Sequence, residues 1–360
     1  MAMTTSGPIP WWSWVSPVLG GLILVLAFVV GASGIVAAVA GVVLVATVFA
    51  AVYHAEVVAH RVGEPFGTLI LAVAVTVIEV ALIVSMMTGP SADKAHLPRD
   101  TVFAAVMIVC NGIVGLCLLA GGARHREQGF QLAGASAALA VLATLTVLSL
   151  VVPNFTSSVP GPYFSTSQLA FAGIASLVLY GSFIFVQTVR HRDYFLPPEG
   201  EEPHAAPPTN RSALVSAGLL LVCLVAVVGL AKALTPELEA GVAWLDAPKA
   251  VVGIAIAALV LLPEGTAAVR AARANRLQTS LNLALGSALA TIGLTIPAVA
   301  AVSIAIGLPL ELGLGPKEEV LLALTLFIGV VTLGTGRTTV LQGIVHLAVF
   351  AAFLFLSIVP

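Results

Sequence analysis

The sequence predicts an all-α polytopic membrane protein of about eleven transmembrane helices: one extra N-terminal helix plus two inverted repeats of five. Three observations carry that prediction. Of 360 residues, 59% are hydrophobic and only 9% charged, whereas a soluble domain is about one quarter charged. Apolar runs of the ~20 residues that span a bilayer recur from end to end. The 15 Lys and Arg residues also favour alternate connections. The net charge of −2 comes with no basic patch, so nucleic acid is not a predicted partner. Cys110, Cys117 and Cys223 all lie in apolar runs without metal-ligand spacing, and read as small packing residues.

Cutting the chain at its polar, Gly and Pro breaks gives spans near 11–31, 34–58, 66–88, 101–121, 131–152, 168–189, 212–234, 248–269, 278–302, 319–335 and 338–359. Trp11, Trp12 and Trp14 are placed as interface anchors ahead of the first span. No Lys/Arg-rich front or cleavage site marks that span as a signal peptide, so it is expected to be retained. Length forces a cut in the following apolar run, and Gly31-Ala32-Ser33-Gly34 is the turn signal. The last two spans are parted only by the short Gly334–Arg337 stretch.

The longest polar connection, 191–211, is rich in Pro and acidic residues and reads as a cytoplasmic linker. Its Glu199, Glu201 and Glu202 are expected to be solvated. It parts residues 34–190, a block of five spans, from 212–360, a second block of five, with 1–33 as the extra helix.

Arg61, Arg124, Arg126, Arg190, Arg192, Arg211, Arg270, Arg273, Arg276 and Arg337 fall on the N-terminal side of the membrane. Lys94, Arg99, Lys232, Lys249 and Lys317 fall on the other. That bias places the N-terminus in the cytoplasm and the C-terminus outside. With five helices per block, the second block enters the membrane upside down, the pattern of transporters whose site lies near the midplane between repeats.

Two carboxylates sit within apolar spans: Glu79 in the third and Glu264 in the eighth, each the second helix of its block. An ionised side chain at a helix centre costs roughly 2.5–3.5 kcal/mol on insertion scales and marks an ion or proton path. Pro263 withdraws one N–H donor and crowds the Leu259 carbonyl four residues back. A freed carbonyl, a carboxylate and water are ligands for a hard cation. Thr76 lies one turn before Glu79. Asn111, and Asn282 with Ser280 and Ser287, add neutral oxygens in the third helix of each block.

Thr76 can equally bond back to its own helix, and Ser280 and Ser287 can serve as packing residues. Glu56 and Glu64 lie at helix ends, where capping or solvation is expected. His54 and His60 could relay protons from that end, while His346 reads as a satisfied interhelical donor. Two carboxylates held close bind protons more tightly, and a divalent cation would expel those protons. Such competition underlies antiport.

At these residues the chain resembles the calcium/proton exchanger family of the cation/calcium exchanger superfamily, in its bacterial ChaA type. Ala55-Glu56, Gly63, Gly67 and Glu79 fall into the family spacing without a gap, and Leu281–Pro297 is similar to the segment after the second signature. The Gly-Asn positions of the Gly-Asn-x-x-Glu signature fall on Val75-Thr76 and Val260-Leu261, and the glutamates remain.

The resemblance implies a secondary active antiporter of a bacterial inner membrane that exchanges Ca²⁺, or Na⁺ or K⁺, for H⁺. It implies no cofactor and no enzymatic step. The alternative from another class is an intramembrane lipid-phosphate hydrolase. Such an enzyme needs Arg or Lys beside its carboxylates, and the apolar runs hold none near Glu79 or Glu264. A passive channel has no need of two titrating carboxylates.

Overall fold

The computed structural model describes residues 10–63, 66–87, 95–196, 207–244, 248 and 250–359. Glu64, Lys94, Glu199, Glu201, Glu202 and Lys249 lie outside the described residues.

Among the described residues eleven helices follow one another: α1 Trp11–Val30, α2 Gly34–Val62, α3 Phe66–Met87, α4 Leu97–His125, α5 Leu132–Phe155, α6 Thr166–Arg190, α7 Asn210–Trp244, α8 Ala250–Arg273, α9 Leu277–Ile306, α10 Pro316–Leu333 and α11 Val340–Ile358. Among the described residues nine of them are long and apolar enough to cross a membrane. The other two, α3 and α10, are apolar over most of their length. In α10, Lys317, Glu318 and Glu319 occupy the first turn after Pro316 and dilute the hydropathy there. The chain is thus an all-α polytopic membrane protein.

Helix ends follow local chemistry. Gly31 and Gly34, at φ 92° and 53°, make the turn between α1 and α2. Gly63 closes α2 at φ 79°, its N–H bonded to the Ala59 carbonyl at 2.9 Å. A Cβ on Gly67 would run into that same carbonyl, so only glycine lets α3 leave α2 so closely. Capping boxes start α6 (Ser165 with Gln168) and α11 (Thr339 with Gln342).

The chain forms two compact units, and each draws on both sequence blocks. The first comprises residues 1–89 and 201–252, the second 90–200 and 253–360.

In the first unit α1, α2 and α7 pack through small residues. A Cβ on Gly20 would lie 2.9 Å from Thr47 Oγ1 and 3.1 Å from Ala226 Cβ. The start of α1 lies against the end of α2, with Trp12 edge-on to Tyr53 at 5.3 Å. Trp11 and Trp14 remain exposed, as interface anchors require.

Pro17 deprives the Ser13 carbonyl of its intrahelical donor. Fully buried His54 of α2 lies with Nε2 2.8 Å from that oxygen. A carbonyl only accepts, so Nε2 carries the proton. His54 Nδ1 has no hydrogen-bond partner among the described residues. The His54 bond to the Ser13 carbonyl compensates for the donor that Pro17 lacks.

In the second unit the connections gather by charge. Strand β1 (Glu127–Gly129) pairs antiparallel with β2 (Arg337–Thr339). Gln128 Nε2 donates to the Ala272 carbonyl at 2.9 Å, and His125 Nε2 lies 3.0 Å from that of Arg273. Asn282 Nδ2 donates to the Phe195 carbonyl at 2.6 Å. These contacts bring Arg124, Arg126, Arg190, Arg192, Arg270, Arg273, Arg276 and Arg337 to one end.

The opposite end carries Arg99 and Lys317 among more acidic neighbours. Arg99 bridges Asp100 and Glu311 and donates to the Gly313 carbonyl at 3.0 Å. Asn154 donates to the Leu314 carbonyl at 2.6 Å and to Glu319 at 2.8 Å. The connection between α9 and α10 is not a solvated loop: Leu310, Leu312 and Leu314 alternate into the interior of the unit.

Candidate functional site

In the first unit Thr76 and Glu79 are three residues apart on α3 and therefore share a face. Both are buried, at 6% and 2% exposure, beside the buried apolar side chains of Ile78, Leu82 and Ile83. A carboxylate at that depth is stable only when neutralised by a proton, a cation or a polar partner.

In the second unit Glu264 is half-buried on α8. Pro263 sits inside the helix without ending it, and Thr266 Oγ1 bonds back to the Pro263 carbonyl at 2.8 Å. Two glycines set α8 against α4. A Cβ on Gly253 would lie 3.2 Å from the Thr101 nitrogen, and one on Gly265 would lie 3.1 Å from Ile113 Cδ1. The pairings 101–253 and 113–265 make the helices parallel, as the alternation of eleven spans requires of two even-numbered helices. The residue after Glu264 thus touches α4 at Ile113, two residues beyond Asn111.

α4 is the enclosed helix of this unit: 89% of its apolar stretch is buried, against 22% for α11. Its middle, Ile108–Ile113, widens into a π turn, a form concentrated at functional sites. Asn111 lies in that turn, wholly buried. Its Nδ2 donates to Thr325 Oγ1 of α10 at 2.8 Å, and its Oδ1 lies 3.3 Å from His346 Nδ1 of α11. His346 Nε2 in turn lies 2.8 Å from Thr332 Oγ1 of α10. His346 is the satisfied interhelical donor expected of it.

Asn282 is elsewhere. It accepts from Gln278 Nε2 at 2.9 Å and donates to the Phe195 carbonyl, at the arginine-rich end. Ser280 is buried and Ser287 half-buried on the same helix. The second unit therefore brings Asn111 and Glu264 to one level of the α4–α8 contact and holds Asn282 apart. Sequence reasoning missed Thr325 and Thr332. Their seven-residue spacing puts two hydroxyls on one face of α10, the signal that could have found them. Among the described residues no group of three His, Cys, Asp or Glu is placed to hold a metal ion.

Comparison with known proteins bears on the whole chain. The profile of the sodium/calcium exchanger protein family matches residues 32–189 and 215–359. The provisionally named ionic transporter y4hA of Sinorhizobium fredii is 54% identical over 360 residues, covering 99% of this chain and 98% of the relative. The sodium-potassium/proton antiporter ChaA of Escherichia coli is 38% identical over 317 residues, covering 86% of this chain and 85% of the relative. Among solved structures, native YfkE superposes with a TM-score of 0.73 at 17% identity, over 97% of this chain and 100% of that one. By their names the Sinorhizobium fredii and Escherichia coli relatives are transporters. The chain belongs to the sodium/calcium exchanger protein family, a family of membrane transporters and not of enzymes.

Proposed function

We propose that the protein is a secondary cation/proton antiporter working by alternating access, in which Glu79 and Glu264 hold either protons or the transported cation. The observation that carries this reading is a carboxylate within a transmembrane helix of each sequence block, one buried and one half-buried, in a chain of exchanger ancestry. Neither carboxylate is stable at that depth as a bare charge. A proton or a cation can neutralise each of them, and alternation between the two is the chemistry of exchange.

Two carboxylates match one divalent cation against two protons, an exchange that moves no net charge. That argument favours Ca²⁺. The name of the Escherichia coli relative brings Na⁺ and K⁺ into the comparison. The test is proton release from acid-loaded everted vesicles on adding Ca²⁺, Na⁺ or K⁺ separately. We expect Glu79→Gln and Glu264→Gln each to abolish release while the protein still inserts and folds. Full exchange in either variant would remove that glutamate from the mechanism. Release by Na⁺ or K⁺ but never by Ca²⁺ would leave the antiporter standing and overturn the preference for Ca²⁺.

The arginine-rich end of the second unit fits a cytoplasmic face. The proposed setting is a bacterial inner membrane, with the N-terminus in the cytoplasm and the C-terminus outside. Compartment-specific reporters fused to each end should report opposite sides.

A further inference from the structure

We propose that His346 is a positioning residue for the ion site: through Asn111 it fixes the π turn of α4 on which the Glu264 segment of α8 rests. This rests on the reading of Glu264 as an ion-binding group. Every contact invoked lies within the second unit.

The line begins where α11 meets α4. A Cβ on Gly112 would lie 3.3 Å from the Phe350 ring, and one on Gly115 3.0 Å from Leu347 Cγ and 3.1 Å from His346 Cβ. A Cβ on Gly343 would run into the Leu119 backbone, and one on Gly122 would lie 2.7 Å from the Val340 nitrogen. The pairings 112–350, 115–347, 119–343 and 122–340 run antiparallel without a slip. This seam of glycines leaves α11 one register on α4 and brings the His346 ring to Asn111.

There the polar groups lock. The Thr325 hydroxyl donates to the Leu321 carbonyl at 2.7 Å, so its oxygen is left to accept from Asn111 Nδ2. Asn111 Oδ1 can only accept, so His346 Nδ1 carries a proton and donates to it. The Thr332 hydroxyl lies between His346 Nε2 and the Ile328 carbonyl, at 2.8 and 2.7 Å. Both ends of the Asn111 amide are thus occupied. Its role here is to hold three helices around the π turn.

On the far side of that turn, Ile113 meets Gly265, the neighbour of Glu264. A π turn has one residue more than the α-helix would place there, so it persists only where its surroundings hold it. Releasing Asn111 lets the turn relax and shifts the surface on which the Glu264 segment sits. The expected effect is weaker cation binding, with the number of working molecules unchanged.

The experiment titrates Ca²⁺, Na⁺ and K⁺ separately into acid-loaded everted vesicles and compares half-saturating concentration with maximal rate. His346→Ala should raise the half-saturating concentration about tenfold, the equivalent of ~1.4 kcal/mol, with the maximal rate per folded molecule retained. His346→Gln, which keeps a side-chain donor, should recover most of that loss. Thr332→Val removes only the outer contact and should give a smaller shift in the same direction; it is the deciding variant if His346→Ala fails to fold.

Unchanged half-saturation in the folded His346 and Thr332 variants would overturn the inference. So would a fall in maximal rate alone, with no rescue by Gln. Glu264→Gln is assayed beside them. Inactivity there with unmoved His346 variants sinks only this inference, whereas full activity there sinks the reading of Glu264 on which it rests.

Discussion

The buried middle of α4 and the second turn of α9 each hold an asparagine, and the two work in opposite ways. Asn111 is wholly enclosed, and its amide joins α4 to α10 and α11. Asn282 is half-buried and belongs to a chain of bonds at the arginine-rich end: Gln131 N–H to Gln278 at 2.6 Å, Gln278 to Asn282 at 2.9 Å, Asn282 to the Phe195 carbonyl at 2.6 Å. One asparagine shapes the interior next to the Glu264 segment. The other ties down the stretch that leads into the linker. Depth along the helix, more than place in the block, decides which.

The largest effects that could break this contrast are the Gln substitutions at Glu79 and Glu264. If both abolish exchange, the contact of α4 with the Glu264 segment acquires functional weight. The graded series at His346 and Thr332 comes next, because it reads that contact through half-saturation.

A direct comparison of the two asparagines sharpens the contrast. Asn111→Ala strips partners from Thr325 and His346 inside the protein and should lower stability by about 1–3 kcal/mol. Asn282→Ala removes bonds near the surface and should cost about 0.5–1.5 kcal/mol. The two should also differ in kind. Limited proteolysis at the start of the linker should speed up in Asn282→Ala, as the segment from His191 to Leu196 loses its tether, and stay unchanged in Asn111→Ala. Equal stability losses with equal protease sensitivity would dissolve the distinction between them.

Much of this architecture was legible in the sequence because one force dominates it. Hydropathy marks spanning helices, and Gly31–Gly34 and Gly63 mark breaks that a positive φ requires. Glu79 and Glu264 stand out in the sequence because a carboxylate in an apolar span is costly wherever it points. The sorting of arginines was legible as well, and the second unit gathers the predicted loops at one end.

What stayed hidden depends on pairings across the chain. His346 meets Asn111 across 235 positions, and no local pattern specifies that contact. His54 and Pro17 were each visible, but the bond that links them needs the register of α1 on α2. The leucines of 308–314 read as a connection because too few residues separate the flanking polar groups to suggest a helix. Leu310, Leu312 and Leu314 are buried along an extended stretch instead, while Leu308 stays exposed. The two compact units escaped notice for a related reason. Each combines helices from both blocks, and sequence order carries no information on which helices share a core.

The smallest predicted effect tests whether the arginine-rich end is structural and no more. Arg126 and Asn275 are the two non-glycine residues with positive φ among those described, at 67° and 62°, and both lie there. Arg126 pairs that φ with ψ −57°, and its N–H bonds to the Gly122 carbonyl at 2.8 Å as α4 ends. A side chain in such a conformation costs on the order of 1–3 kcal/mol. Glycine would remove that strain while adding roughly 0.5–1 kcal/mol of chain entropy to the unfolded state. Arg126→Gly should therefore raise thermal stability slightly and leave half-saturation and maximal rate as they are. A clear loss of exchange in that variant would show that the turn between α4 and β1 takes part in transport, and that the division between a working interior and a merely tethering end is drawn in the wrong place.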